Sequence, residues 1–522
     1  MDFARCIAYG IIADKKGGIM YEIRDKNQKI SFAKLLDLSG LLIIAAAVIT
    51  AVKMNFVGRS LWYDEAALAY SFCTRGLTDL IREPLEMVQS APVGWLYIIK
   101  LFVLCFGQTD FVMRVPSILF YAGMLFLSYK LLSKYYQVSF PVMSTALIAS
   151  IPIVLQYANV FKPYISDCFF AVLVLCIIAK YDEGVISDHI WMIGWAVILW
   201  FSSPACFVMG GILVVRFIIA IIRKDKAAIR SQIKIGIGIG CSFLLHYGLW
   251  LSRIDDGMHA FWAQAKMPIF ITSAEDLQQL INMVQAIFGQ FYRLKWGIIC
   301  CFLIGIVYAL LQKKEKMLEL YGIYFITCFA SSIGRYPVNR RLWLFMYPIL
   351  VMIVVQLFDD ICEKNKKIKN IVGIGILGAA LLTAGIRYYW NDENVYWPRY
   401  EVKGEYTYLK SVIKKDDGVY VARCAQPMFL FYNNYNTEYL AGTENDIFIA
   451  ESSYRQNYDG TWNDHTKDYQ YILAHDTCYI VLSDTWNAEG EYTELYDRLK
   501  EEGNLEIVYR EHDTPMMKFT KE

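Results

Sequence analysis

Apolar runs of bilayer-spanning length recur through this chain, at 35–53, 114–133, 138–156, 163–180, 189–203, 204–222, 233–252, 296–312, 317–334, 342–358 and 370–388. Crossing a hydrocarbon core about 30 Å thick takes roughly 20 apolar residues in a helix. A helix is required because lipid offers no partner to backbone N–H and C=O groups. These runs commit the chain to a polytopic α-helical membrane protein with about 11 transmembrane helices. Composition agrees, with 56% hydrophobic and 19% charged residues and a mean hydropathy of +0.33, which excludes an ordinary soluble enzyme. A twelfth run, Val93–Phe106, has only 14 residues and carries Lys100 at its centre, so an interfacial or re-entrant segment is expected there.

Charge orients the spans. The densest basic loop, with Arg223, Lys224, Lys226, Arg230 and Lys234, is expected in the cytoplasm, as are Lys313, Lys314, Lys316 and the cluster Lys364 to Lys369, by the positive-inside bias. Counting from them puts the basic segment 1–33 inside and residues 54–113 outside as one loop, provided that Val93–Phe106 does not cross. Residues 34–390 then form the transmembrane domain and 391–522 an extracytoplasmic tail. The tail carries 25 Asp+Glu against 13 Lys+Arg, net −12, whereas 1–390 is net +13, a split hidden by the overall charge of +1. Strand-like runs at Gly418–Arg423 and Tyr479–Leu482, helical patterns at Glu405–Lys414 and Glu491–Glu502, and a closing hairpin of Ile507–Tyr509 with Met516–Phe519 predict a small α/β domain. Its Trp462 and Trp486 suit either a carbohydrate surface or an ordinary core.

Several signals exclude other classes. Most of the 13 cysteines lie in apolar runs, none forms a CxxC pair, and the six histidines are scattered, so no zinc site reads from spacing. Cys424 and Cys478 are candidates to pair within the tail. Gly236, Gly238 and Gly240 follow no strand, and Gly236-xxx-Gly240 reads as close helix packing rather than a nucleotide loop. No internal repeat or nucleic-acid motif is present. Residues 1–33 have mixed charge and no apolar stretch with a cleavage site, so the first span is expected to be the anchor.

Chemistry is expected at Trp62-Tyr63-Asp64-Glu65-Ala66, where two adjacent carboxylates follow the first span and precede a short amphipathic stretch, Ala66 to Phe72. One reading makes them an acid or base at the membrane surface; the other makes Asp64 the N-cap of an interfacial helix. Arg335, Arg340 and Arg341 fall outside against the usual bias, and their planar guanidinium forks suit a lipid phosphate, either a substrate's or an ordinary headgroup's. In Phe161-Lys162-Pro163-Tyr164-Ile165-Ser166-Asp167, Pro163 suits a first helical turn. Asp167 then lies roughly 6 Å inside the span, where an ionised carboxylate needs a wet cavity or a cation. Lys162 and Tyr164 are near enough to share that cavity, and a private Lys162–Asp167 pair is the simpler alternative.

The order of these motifs resembles the GT-C membrane glycosyltransferases, and within them the protein O-mannosyltransferase and aminoarabinose transferase superfamily. The resemblance covers about residues 35–350. It rests on WYDEA, then Ser90-Ala91-Pro92-Val93-Gly94-Trp95-Leu96-Tyr97, Phe106-Gly107 to Phe111-Val112-Met113-Arg114-Val115-Pro116-Ser117, Lys162-Pro163-Tyr164, and Ser202-Ser203-Pro204. It implies transfer of a sugar from a polyprenyl-phosphate donor to a glycan, lipid or protein hydroxyl on the external face. Asp64 is then the base with Glu65 beside it, and Asp167 is part of the active-site cavity. Where relatives often carry a basic residue before the proline of the second motif, this chain has Ala91-Pro92, so Lys162 and the external arginines are expected to meet the phosphate. A polyprenyl phosphate leaves readily once cations neutralise it, so one base suffices and a single displacement inverts the anomeric centre. No cofactor is expected, a divalent metal stays open, and the partners are donor, acceptor and membrane lipids. A lipid or solute transporter is the competing class, but no inverted repeat or matching pair of broken spans supports it.

Overall fold

The first apolar run folds as the helix Phe32–Phe56. At Gly58, which adopts φ +73°, the chain turns out of it towards Arg59–Trp62. The computed structural model describes residues 12–13, 19–20, 32–87, 89–253, 262, 265–268, 270–362, 366–389, 401–436, 439–440, 444–450, 465–483, 492–511 and 514–522. Most of segment 1–33, Lys364, and the tail tryptophans Trp462 and Trp486 lie outside the described residues.

Among the described residues, six of the expected runs form helices long and apolar enough to cross a membrane: Lys34–Phe56, Asp110–Tyr135, Tyr164–Asp182, Ala205–Ile222, Lys226–Leu249 and Lys367–Ala384. The other five runs are shorter or more charged. Run 138–156 breaks at Pro152 into Pro141–Ser150 and Pro152–Tyr157, because proline lacks the N–H donor and crowds the preceding turn. Run 189–203 shortens to Asp188–Ile198. The last three form Lys295–Leu311, Glu315–Ser332 and Met346–Cys362. Val93–Phe106 is a single helix of 14 residues, about 21 Å at 1.5 Å per residue, and ends at Gly107 with φ +97°. Its central Lys100 is buried, with Nζ donating to the Phe72 carbonyl.

Helices Ala205–Ile222 and Glu315–Ser332 meet backbone to backbone. A Cβ on Gly211 would stand 2.4 Å from Ile323 N, and one on Gly322 would stand 2.6 Å from Gly211 O, so only glycine allows this approach. In Lys226–Leu249 the packing glycine is not the pair Gly236 and Gly240, around which there is open space. It is Gly238, against Met192 of Asp188–Ile198. At the end of the bundle that carries Arg223 and Lys314, Arg216 joins Asp182 (2.7 Å) to Glu319 (2.7 Å), and Lys314 pairs with Asp360 (2.9 Å).

The opposite end carries residues 58–114 and the tail. The tail is an α/β domain with strands β1 (Gly418–Val421), β2 (Ile447–Ile449), β3 (Thr477–Val481), β4 (Gly503–Glu511) and β5 (Thr514–Lys521) in the order β2-β1-β3-β5-β4. β1 runs parallel to β2 and β3, and β5 is antiparallel to both β3 and β4. The expected closing hairpin forms with Ile507 opposite Met517. The expected helices form as Val402–Val412 and Thr493–Glu502. Cys424 Sγ donates to the Leu482 carbonyl (3.1 Å) rather than bridging to Cys478. Val402, Tyr406, Leu409, Phe429, Phe431, Tyr432 and Met516 of the tail share one apolar core with Leu61, Ala66, Ala69 and Phe72 of the long loop. The stretch after the carboxylates is therefore buried between membrane domain and tail, not laid on an interface as its amphipathic pattern suggested.

Candidate active site

The loop helix runs Tyr63–Thr74 with Trp62 at its N-cap. Asp64 is its second residue, so it is not the N-cap that one reading of the motif required, although its charge still sits in the first turn, where the helix dipole favours anions. The carboxylate that reaches back to the cap is Glu65, whose Oε2 accepts from Trp62 N at 3.4 Å.

Glu65 is sealed. Its oxygens accept from Arg114 Nε (3.1 Å) and NH2 (2.6 Å) and from Phe161 N (2.6 Å), and Arg59 NH2 stands 3.7 Å away. Both Glu65 and Arg114 are fully buried. Burial works against the Glu65 charge, but Arg114 and Arg59 outweigh it and hold the carboxyl below its ordinary range. Arg114 also donates to the carbonyls of Arg59 (2.7 Å) and Ser60 (3.1 Å). One guanidinium thus fixes both the segment entering the helix and its third residue.

Asp64 points the other way. Its Oδ2 accepts from Arg341 NH1 at 2.9 Å, and each side chain keeps about a fifth of its surface, 20% and 21%. Burial pushes the Asp64 carboxyl up, but Lys162 and Arg341, with a hydrogen bond from Gln89, bring it below its ordinary value. Lys162 is buried and gives its Nζ to Gln89 Oε1. Burial pushes the ammonium down, and the Asp64 charge opposes that shift. Arg341 comes from the turn before Met346–Cys362, where Asn339 Oδ1 accepts from its backbone N (3.0 Å). Its guanidinium lies 5.9 Å from the Tyr164 ring and 5.4 Å from that of Trp262.

The structure brings together Asp64, Lys162, Tyr164 and Arg341 of the expected site. Asp167 stands one turn deeper in Tyr164–Asp182 and accepts from Ser202 Oγ (2.7 Å), linking the Lys-Pro-Tyr and Ser-Ser-Pro motifs. No ion pair joins it to Lys162 among the described residues. Arg340 is half-buried and close enough to act on Tyr157 and Tyr347. The Arg335 side chain is exposed and bonds to none of the described residues. Gln89 and Arg59 carried no sequence signal, since an isolated glutamine or arginine in a loop has no characteristic spacing. Arg114 stood in the Phe111-Val112-Met113-Arg114-Val115-Pro116-Ser117 motif, yet its partner 49 residues away was not legible. Among the described residues, no three His, Cys, Asp or Glu side chains are grouped to hold a metal ion.

No protein-family model matches the chain, and no curated protein matches it in sequence. Among solved structures, ArnT from Cupriavidus metallidurans bound to undecaprenyl phosphate is similar at TM-score 0.52 and 10% identity, over 92% of this chain and 98% of that one. The chain has the GT-C fold. The apo state of the same ArnT, with identical coverage, gives TM-score 0.39 and 11% identity. The likeness covers 92% of the chain and so extends past the motif order, which reached only residues 35–350, into the tail.

Proposed function

We propose that this protein is a glycosyltransferase that moves a sugar from a polyprenyl-phosphate carrier to a hydroxyl acceptor on the external face of the membrane, with Asp64 as base. The observation that carries the reading is the contrast between adjacent carboxylates. Glu65 is saturated by fixed donors, while Asp64 stays partly accessible between two cations. The ArnT structure with undecaprenyl phosphate lends the donor class.

In this mechanism Arg341 and Lys162 receive the donor phosphate. Each cation that turns to the phosphate stabilises the Asp64 charge less, so binding the donor makes Asp64 a stronger base when it is needed. The acceptor oxygen attacks the anomeric carbon from the face opposite the phosphate and its proton passes to Asp64. The bond from that carbon to the phosphate oxygen breaks, and polyprenyl phosphate departs with the electron pair, neutralised by Arg341 and Lys162. One displacement inverts the anomeric configuration. Glu65 is a positioning residue that fixes the helix turn bearing Asp64.

The test is transfer in detergent from purified undecaprenyl-phosphate sugars to a panel of hydroxyl acceptors, scored by mass spectrometry. A product formed by the native protein and lost in Asp64→Asn supports the reading. Equal product from both would overturn it.

A further inference from the structure

The segment that delivers the chain to Asp64 is held from two sides. From the membrane domain, Arg114 takes the carbonyls of Arg59 and Ser60. From the tail, Lys403 Nζ donates to Gly58 O (2.5 Å), Lys403 N donates to Ser60 Oγ (3.3 Å), and Tyr432 OH accepts from Leu61 N (2.6 Å). The same Tyr432 hydroxyl donates to Asp110 Oδ2 (2.7 Å), which also receives Lys403 Nζ (3.1 Å). Asp110 opens the helix that carries Arg114. Every residue from Gly58 to Leu61 is thereby fixed, and Leu61 is three residues before Asp64.

Tyr432 is fully buried in the apolar core that the loop helix shares with the tail. A phenol there can satisfy an amide and a carboxylate at once, because its oxygen accepts on one side and its proton donates on the other. Removing only the hydroxyl takes the acceptor from Leu61 N and one of the contacts from Asp110, which keeps Lys403, while the ring keeps its packing.

We infer that the tail domain is a working part of the active site: Tyr432, seconded by Lys403, is a positioning residue that sets the height and angle of the helix turn bearing Asp64. This rests on Asp64 being the base. The Tyr432 bonds act on alignment rather than on donor contact, and misplacement of a reacting group by about 1 Å can cost on the order of 100-fold in rate.

The experiment uses the full-length protein in detergent with an undecaprenyl-phosphate sugar that it turns over, comparing Tyr432→Phe and Lys403→Met with the native chain. Two readouts are taken: hydrogen exchange of the peptide spanning residues 58–65, and kcat with KM for the donor. Tyr432→Phe is expected to speed exchange of that peptide and lower kcat roughly 10-fold with little change in donor KM. Lys403→Met is expected to do the same more weakly. Unchanged exchange in both variants would overturn the inference. Faster exchange with unchanged kcat would show that Tyr432 and Lys403 hold the segment without positioning the base, and would overturn the inference too. An active Asp64→Asn protein would sink the base assignment separately, which the exchange readout does not depend on.

Discussion

Asp64 Oδ2 lies 2.9 Å from Arg341 NH1, a contact between residues 277 positions apart. It joins the first turn of the loop helix to the turn before Met346–Cys362. A base that starts out ion-paired stays deprotonated at neutral pH. Asp64→Asn keeps the size of the side chain and a group that can face Arg341, but accepts no proton. We expect a folded protein that binds the donor lipid and has lost about 100-fold or more in turnover. Donor-binding titrations alongside turnover check it, and near-native turnover removes Asp64 from the chemistry.

In the proposed mechanism Arg341 acts on both the donor phosphate and the Asp64 carboxylate, and the two effects separate by pH. If that mechanism holds, Arg341→Ala loses a phosphate contact and is expected to raise donor KM and slow the departure of polyprenyl phosphate. It also removes a cation that holds Asp64 below its ordinary value, so the Asp64 pKa rises. With Asp64 as the proposed base its ionised form is the active one, so the acid limb of the kcat/KM profile is expected to move to higher pH. Arg340→Ala, whose guanidinium acts on Tyr157 and Tyr347, should leave that limb in place. Profiles of both variants over roughly pH 4–8 decide the point.

Much of the fold was legible in the sequence, since hydrophobic length and turn chemistry are local signals. The first-span exit, the 14-residue helix Val93–Phe106 and the closing hairpin of the tail all stand where local pattern put them. Other features depend on partners far along the chain. The loop helix reads as amphipathic and interfacial, yet Ala66, Ala69 and Phe72 are covered by tail residues more than 300 positions later. The difference between Asp64 and Glu65 had no sequence signal, because it is made by Arg114, Phe161, Lys162 and Arg341. Proline also shortened what hydropathy alone had lengthened, at Pro152.

The Glu65–Arg114 pair should behave as a buried ion pair whose partners cannot be lost singly. Arg114→Leu leaves the fully buried Glu65 carboxylate with Arg59, 3.7 Å away, as its remaining cation, and losing one partner of a buried pair typically costs about 3–5 kcal/mol. Glu65→Gln retains an acceptor for Arg114 and Phe161 N and should cost less. Since the folded-state pKa of Glu65 is depressed, its contribution is present above the unfolded value near 4.3 and is lost as pH falls through the folded value. Thermal unfolding in detergent from about pH 7 down to 3 should show native stability dropping on the acid side and Arg114→Leu starting low. Equal melting temperatures for native protein and Arg114→Leu at neutral pH would contradict it.

Glu405 should give the tail the opposite pH dependence. It is fully buried on the helix Val402–Val412, its Oε2 accepts from Ser483 Oγ (2.5 Å), and its Oε1 has no hydrogen-bond partner among the described residues. Burial pushes its carboxyl up to about 8, more than the hydrogen bonds from Ser483 and Leu482 pull it down. The folded tail therefore keeps a proton that the unfolded chain releases near pH 4.3. Between that value and about 8, stability falls as pH rises, at up to about 1.4 kcal/mol per pH unit, and levels off above the folded value. Glu405→Gln replaces the neutral acid with a neutral amide of the same shape, so it should abolish this slope and leave the variant more stable than the native protein by a few kcal/mol at pH 8. Chemical unfolding followed by the fluorescence of tryptophans placed in the tail reads the effect, and parallel pH profiles for native protein and Glu405→Gln would refute it.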